Sequence, residues 1–422
     1  MIAVIGLGFV GLTTGLGLAH RLGCTIYAYD ADERKREMYT HKQIPFHEPH
    51  LQEHLERYEG SRFIVCHTMA EAIAQAETIF FCVGTPCSSS GETDLSDLQN
   101  AVQTCLDAME QLPERKSYPV LVIKSTVPAA TTTDRIQPLL QARGYITGKN
   151  IGLANNPEFL REGSAWSDFV QPDRVIIGEI DPIGAQRLSE LYAAFDVPVH
   201  RVAAHTAEFV KYASNALLAT LISFANELSM IADRIGQIDI PQVFRLLHED
   251  RRWQGHPAKM TDYVFPGCGF GGYCLPKDTQ SLYSHAGNYG HESMLLKAVL
   301  QVNEDIKNHI VERITASAQP DEMVGILGLS FKPDSDDVRG AVSKDIIGLL
   351  LDRGFHRILA YDPLAMDNFR GTYGLPIEYA GSVEEVIERS QVSTIVTSWK
   401  EFKEKQSLYA GKTIIDGRHV LS

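Results

Sequence analysis

Short apolar runs alternate along the chain with longer stretches whose apolar positions recur three and four apart. That rhythm predicts buried parallel strands linked by helices. Met1 to Ile5 reads as a strand, followed by a glycine turn and a helix from about Leu12 to Leu22. CTIYAYD (24–30), TIFFCVGTP (78–86), PVLVIKSTVP (119–128) and the start of IGLANNPEFLREGSAW (151–166) read as further strands. From about His205 to Gly236 the spacing is helical, with Thr206 as the expected N-cap and Gly236 near the stop. At that length the helix is expected to be a spine between two domains or part of a dimer interface. VGILGLSF (324–331), RILAYDP (357–363), VSTIVTS (392–398) and TIIDGRHVL (413–421) then alternate with helices at SKDIIGLLLDRG and around Val383 to Ser390. The fold class that follows is α/β: two Rossmann-like, doubly wound parallel-sheet domains joined by a long central helix. The expected boundaries are 1–200, 201–300 and 301–422.

The turns between these elements hold the candidate chemistry. Gly6-Leu7-Gly8-Phe9-Val10-Gly11 is a GxGxxG between a strand and a helix, and Asp30 ends the next strand. Gly6 permits the tight turn, Gly8 admits a pyrophosphate, Gly11 lets helix and strand approach, and the acid suits a ribose 2′-hydroxyl. The first domain is therefore expected to bind NAD rather than NADP. Thr85 and Thr126 fall at strand carboxyl ends, where ligands of doubly wound sheets sit, though turn or cap hydroxyls read the same way. Glu158 and Glu162, and Lys211 and Asn215, are each spaced to share a helical face, which also suits solvated surface groups. FPGCGFGGYCLPKDT (265–279) reads as a glycine-rich loop with Cys274 near Lys277 and Asp278. The glycines allow close approach of backbone to ligand, and a thiol near a cation can be an activated nucleophile. A surface loop with an incidental cysteine fits those residues too. In the last domain Lys332, Arg339 and Arg418 suit phosphate or ribose, with exposed ion pairing as the rival reading.

Composition narrows the classes. The chain has 422 residues and a net charge of −14, which argues against a nucleic-acid partner. Its seven cysteines show no metal-ligand spacing, so no metal is expected, and a reducing, cytoplasmic setting fits them best. The apolar N-terminus lacks a basic leader and is threaded with glycines, so it is not expected to be a signal sequence. No run is long and apolar enough to suggest membrane insertion.

These motifs together resemble the UDP-glucose/GDP-mannose dehydrogenase family, most of all its members acting on UDP-glucose. The resemblance runs through GLGFVG with Asp30, PFHEPHL (45–51, against the family's PIYEPGL), VGTP (83–86) and KSTVP (124–128). It continues through NPEFLREGSA (156–165), PDRVIIG (172–178), KYASNALLATLISFANE (211–227), GFGGYCLPKD (269–278) and GLSFKPDSDDVR (328–339). It implies a four-electron oxidation of a nucleotide sugar's C6 alcohol to a carboxylate, with two NAD+ reduced per turnover. It also implies a dimer formed through the central helix and a C-terminal domain for the nucleotide diphosphate. Carried over residue by residue, Cys274 is the nucleophile, Lys211 and Asp278 the acid/base pair, Glu158 the base for hydrolysis, Thr126 a water-positioning group, and Asn215 an oxyanion partner. The cofactor residues are Gly6, Gly8, Phe9, Val10, Gly11, Asp30, Lys35, Thr85, Thr126, Glu162 and Arg339. The substrate residues are Glu158, Phe159, Leu160, Lys211, Asn215, Arg251, Tyr263, Gly269, Lys332 and Arg418.

One departure bears on the sugar. Where the family has a short DRIG segment, this chain has the longer EDRRWQGHPAKMTDYVFPG, with Arg251 the expected match and Arg252 or Lys259 as alternatives. UDP-glucose is the expected substrate, with a UDP-N-acetylhexosamine or GDP-mannose as rivals. A two-electron hydroxyacid dehydrogenase would need neither Cys274 nor the second α/β domain. A non-catalytic NAD sensor would be expected to lose Cys274, Lys277 or Asp278, and all three are present.

Overall fold

The structure, a computed structural model, describes residues 1–112, 118–249, 265–288 and 293–421. It divides into two compact units, Met1–Ser214 and Asn215–Ser422. The first is built on strands β1 (Ile2–Ile5), β2 (Ile26–Tyr29), β3 (Phe63–Val65), β4 (Thr78–Phe81), β5 (Val120–Ile123), β6 (Gly152–Asn155), β7 (Val175–Glu179) and β8 (Val199–Ala203), in the order β3-β2-β1-β4-β5-β6-β7-β8. Successive residues of a strand point to opposite faces. Ile2 and Val4 accordingly enter one apolar core and Ala3 and Ile5 the other, so helices cover both faces. The order reverses between β1 and β4, the place where such sheets open a crevice beyond their carboxyl ends. β7 departs from the all-parallel expectation by running antiparallel to β6. A buried strand with apolar residues on both faces reads the same in either direction.

The second unit holds β9 (Val324–Leu327), β10 (Ile358–Tyr361), β11 (Glu378–Tyr379), β12 (Val392–Ile395) and β13 (Thr413–Asp416), all parallel in the order β11-β10-β9-β12-β13. The central helix runs Ala204–Ile235. Thr206 is therefore inside its first turn rather than at its N-cap. Gly236, at φ +78°, ends it by donating to the Ala232 carbonyl.

The two sheets share a local motif. Gly6 (φ +88°) and Gly328 (φ +101°) each turn the chain off a central strand, donating at 2.8 Å to Tyr29 O and Tyr361 O respectively. The next amide donates at 2.7 Å to an aspartate ending the neighbouring strand, Leu7 to Asp30 and Leu329 to Asp362. The sequence carries this parallel in IYAYD and ILAYD, and in GLG and GLS. The difference lies one residue on. A Cβ on Gly8 would meet nothing within 4 Å. At the matching place Ser330 turns its hydroxyl onto Asp362 at 3.0 Å. Asp362 is fully buried and also accepts from the amides of Ser330, Leu364 and Ala365 and from the Trp399 indole. This carboxylate is consumed by the fold, so it is not offered to a ribose. Asp362→Ala strips partners from all those donors and is expected to destabilise the protein by about 3–5 kcal/mol. Thermal or urea unfolding checks this, and a loss below about 1 kcal/mol would contradict the hub reading.

Candidate active site

In the first unit the parts expected of a dinucleotide cradle lie together. A Cβ on Gly11 would stand 1.7 Å from the Gly6 carbonyl oxygen, so only glycine lets the first helix (Phe9–Leu22) start so close to β1. That helix has Gly8 as its N-cap, no side-chain cap and no acid in its first turn. Its free amides and positive dipole end thus face the open space above Gly8. Phe9 packs at 6.3 Å from the Phe46 ring, and Val10 packs against the core. Asp30 accepts from Leu7 and Asp32 amides and has Lys35 Nζ at 3.5 Å. Thr85 is buried and donates to Thr126 O at 2.7 Å, joining the turns after β4 and β5. These residues fit a pyrophosphate and an adenosine ribose.

This cradle makes a paired prediction. Gly8→Ala, at φ −72° with open space, is expected to leave Tm within about 2 °C while weakening NAD binding roughly tenfold or more. Gly11→Ala is expected to lower both. Thermal shift with and without NAD reads the two effects apart, and equal loss of stability in both variants would contradict the cradle.

Sequence reasoning missed Glu48. Its buried carboxylate accepts from the Gly163 amide at 2.6 Å and the Ala165 amide at 2.9 Å, fixing the turn that carries Glu162. The one carboxylate within PFHEPHL was the available signal.

The same unit holds a buried ion pair. Lys211 Nζ lies 3.0 Å from Glu158 Oε1, with side chains 5% and 7% exposed. The other Glu158 oxygen accepts from the Leu160 amide at 2.6 Å. The Phe159 ring takes the Lys211 ammonium at 5.6 Å and the Arg174 guanidinium at 4.7 Å. Burial of both charges is tolerable because each is paired and hydrogen-bonded.

In the second unit the glycine-rich segment is not loop throughout. Cys274 is the first residue of a helix, Cys274–Asn288, with Pro276 in its first turn, where a missing amide costs nothing. Cys274 is exposed. Asp278, one turn on, is buried and accepts from Asn215 Nδ2 and from Lys277 Nζ. The segment leading to Cys274 is latched by two asparagines. Asn226 Oδ1 accepts from the Gly267 amide at 2.6 Å, and Asn303 exchanges hydrogen bonds with both backbone groups of Phe270. Gly269 (φ +100°) has room for no side chain against Asn303, and Gly272 donates to Gly340 O at 3.1 Å. Asn226 and Asn303 were missed from sequence, although polar residues within apolar helix stripes were visible. Tyr273 lies between two cations, Lys277 at 5.5 Å and Arg339 at 4.8 Å from its ring, and Arg339 also pairs with Asp337. Lys332 lies over Phe331, and Arg418 Nε donates to Val396 O at 2.7 Å beyond the carboxyl end of β12. Cys268 is structural: its thiol is fully buried, reaches Gly417 O at 3.2 Å, and burial pushes it up to about 11. Arg251, Arg252, Lys259 and Tyr263 lie outside the described residues.

Comparison with known proteins agrees with both units. Residues 1–196 match the NAD binding domain of the UDP-glucose/GDP-mannose dehydrogenase family, 205–305 its central domain and 325–422 its UDP binding domain. A UDP-glucose 6-dehydrogenase of Bacillus subtilis, YwqF, is 36% identical over 99% of this chain and 93% of that protein. The chain belongs to this family. Among solved structures, a UDP-glucose dehydrogenase from Pyrobaculum islandicum is 34% identical, with a TM-score of 0.91 over 100% of this chain and 94% of that one. A UDP-D-ManNAc dehydrogenase from Pyrococcus horikoshii is 25% identical, with a TM-score of 0.84 over 100% and 96%. The N-terminal unit carries the family's NAD-binding domain, in keeping with the cradle at Gly8. Among the described residues, no helix is long and apolar enough to cross a membrane.

Proposed function

We propose that the protein oxidises the C6 alcohol of UDP-glucose to the carboxylate of UDP-glucuronate. The observation that carries this reading is the pairing of an exposed Cys274 at a helix start with Asp278 one turn on, its carboxylate held by Asn215 and Lys277. A two-electron alcohol dehydrogenase has no use for that thiol. NAD+, when bound, accepts the hydride in each of two oxidations.

The side chains divide the rest of the work. In the first oxidation the Asp278 carboxylate takes the hydroxyl proton, through a water that the Lys211 ammonium helps to hold, as hydride leaves C6, giving an aldehyde. Cys274 sulfur then bonds to C6, and the carbonyl oxygen gains a proton to form a thiohemiacetal. Loss of that proton with the second hydride gives a thioester on Cys274. Glu158 takes a proton from a water positioned by Thr126, the water oxygen bonds to C6, and the C–S bond breaks to return the thiolate. Asn215 and the Lys211 ammonium stabilise the oxyanions. A thiol suits the task because it adds reversibly to an aldehyde and leaves readily from a thioester. The positive end of the cysteine helix favours an anionic sulfur.

Gly6, Gly8, Gly11, Asp30, Lys35, Thr85, Glu162 and Arg339 are assigned to the cofactor. Phe159, Leu160, Gly269, Lys332, Arg418 and, outside the described residues, Arg251 and Tyr263 are assigned to the nucleotide sugar. The domains assigned to these roles are 1–200, 201–300 and 301–422. The central helix leaves Phe209, Leu217 and Phe224 exposed, a row of large apolar side chains that supports a homodimer through this helix. Seven free thiols fit a reducing, cytoplasmic location. The test is NADH counted per sugar consumed across a panel of nucleotide sugars. Two NADH per UDP-glucose, with UDP-N-acetylhexosamines and GDP-mannose turned over poorly, is expected. A ratio near one would overturn the thioester route, and preference for another sugar would overturn the substrate.

A further inference from the structure

Lys124 follows β5 and is 4% exposed, yet none of the roles above uses it. Its Nζ donates to Asn156 Oδ1 at 3.1 Å, and the same oxygen accepts from the Tyr192 hydroxyl at 2.7 Å. Asn156 Nδ2 donates in turn to Ile176 O at 2.8 Å. The ammonium sits 5.9 Å from the centre of the Phe169 ring. Asn156 begins the turn that carries Glu158, and Lys124, Asn156, Glu158, Phe159 and Tyr192 line one cavity of about 50 Å³. That space is large enough for a water, and Lys124, Glu158, Asp168 and Arg174 are the charged side chains that line it.

A buried ammonium facing neutral partners is costly. Burial pushes the Lys124 ammonium below the usual lysine range; attraction to Glu158 opposes this, and repulsion from Lys211 adds to it. Of the titratable groups around it, the Cys82 thiol is pushed up to about 12 by burial and the Tyr192 hydroxyl is also pushed far up by burial. Both are neutral near pH 7. Of the charged groups lining the cavity, Asp168 is paired with Arg161 at 2.6 Å, and Arg174 lies over the Phe159 ring. The charges left to respond to Lys124 are Glu158 and Lys211. Holding Asn156 would need only a neutral donor, so a lysine here supplies something more than a hydrogen bond.

We propose that Lys124 is a positioning residue for thioester hydrolysis, anchoring Asn156 and with it the turn of Glu158, and biasing the Lys211–Glu158 pair by its charge. This rests on Glu158 acting as the hydrolytic base. Removing a nearby positive charge makes a carboxylate harder to ionise and an ammonium harder to deprotonate. Lys124→Gln keeps a donor for Asn156 and removes the charge, whereas Lys124→Arg keeps the charge.

The experiment is the pH profile of kcat for NADH formation from the 6-aldehyde of UDP-glucose, with NAD+ saturating. In Lys124→Gln both limbs are expected to move to higher pH by about half a unit or more, with kcat falling more than KM changes. In Lys124→Arg the limbs stay where they are. A slower Lys124→Gln enzyme with unmoved limbs would mean a purely structural lysine and overturn the proposal. If Lys124→Gln does not fold, Lys124→Met is read in the same way. Glu158→Gln, run in parallel, separates the two readings. If it turns over the aldehyde at full rate, the base assignment itself fails. If it is slow while Lys124→Gln leaves the limbs unmoved, only the role of Lys124 fails.

Discussion

Cys274→Ala is expected to stop the reaction after its first oxidation. The variant keeps the cradle at Gly8 and the Asn215–Asp278–Lys277 cluster, so the alcohol can still lose a hydride and a proton. Without sulfur the aldehyde has no covalent form from which a second hydride leaves, except by slow hydration. Complete oxidation should fall by about 10³-fold or more, and NADH per sugar should drop from two toward one. Cys274→Ser should behave similarly, because a hydroxyl is a weaker nucleophile and an ester hydrolyses more slowly than a thioester. Trapping the aldehyde with hydroxylamine while counting NADH gives the answer. Two NADH per UDP-glucose from either variant, at an unreduced rate, would mean that the hydrated aldehyde is oxidised directly and that Cys274 is not covalent.

Glu158→Gln is expected to fail one step later. The thioester should form and then persist, giving a burst of NADH followed by turnover slowed about 10²–10³-fold. The intact protein should gain the mass of a UDP-glucuronyl group, removable by hydroxylamine. Glutamine is the right replacement because the Leu160 amide needs an acceptor at 2.6 Å. A smaller residue would also leave a void beside the buried Lys211 side chain, a cost to folding that would be confused with catalysis. No burst and no adduct, with the enzyme still folded, would remove Glu158 from hydrolysis.

Much of this was legible in the chain because the chemistry is local. The strand–glycine–helix pattern of residues 1–22 and the aspartate at 30 describe a cradle whose parts are close in sequence, and the structure builds it with Gly6 at φ +88° and Gly11 against Gly6 O. Long-range partners were not legible. Glu48 clamps a turn 115 residues away, and Asn303 latches Phe270 from a separate helix. Such partners depend on how elements pack. The direction of β7 was hidden because apolar runs carry no arrow. Cys274 reads as loop from sequence because four glycines precede it. The helix begins where they end, and Pro276 falls in the first turn, the one helical place that tolerates proline. Thr206 reads as a cap because hydroxyls favour caps, but the helix starts two residues earlier.

The contrast between Gly8 and Ser330 also bears on timing. Among the described residues, one glycine turn is open for a dinucleotide and its counterpart is filled by a side chain bound to Asp362. A reaction that removes two hydrides must therefore pass both through the same cradle, one after the other. Between them the half-oxidised sugar has to outlast an exchange of cofactor. A noncovalently held aldehyde would have to win a race between its own escape and that exchange, whereas a carbon bonded to Cys274 must first expel the sulfur, and after the second oxidation it leaves only when water releases it. The bond to sulfur then sets a residence time as well as a chemical step.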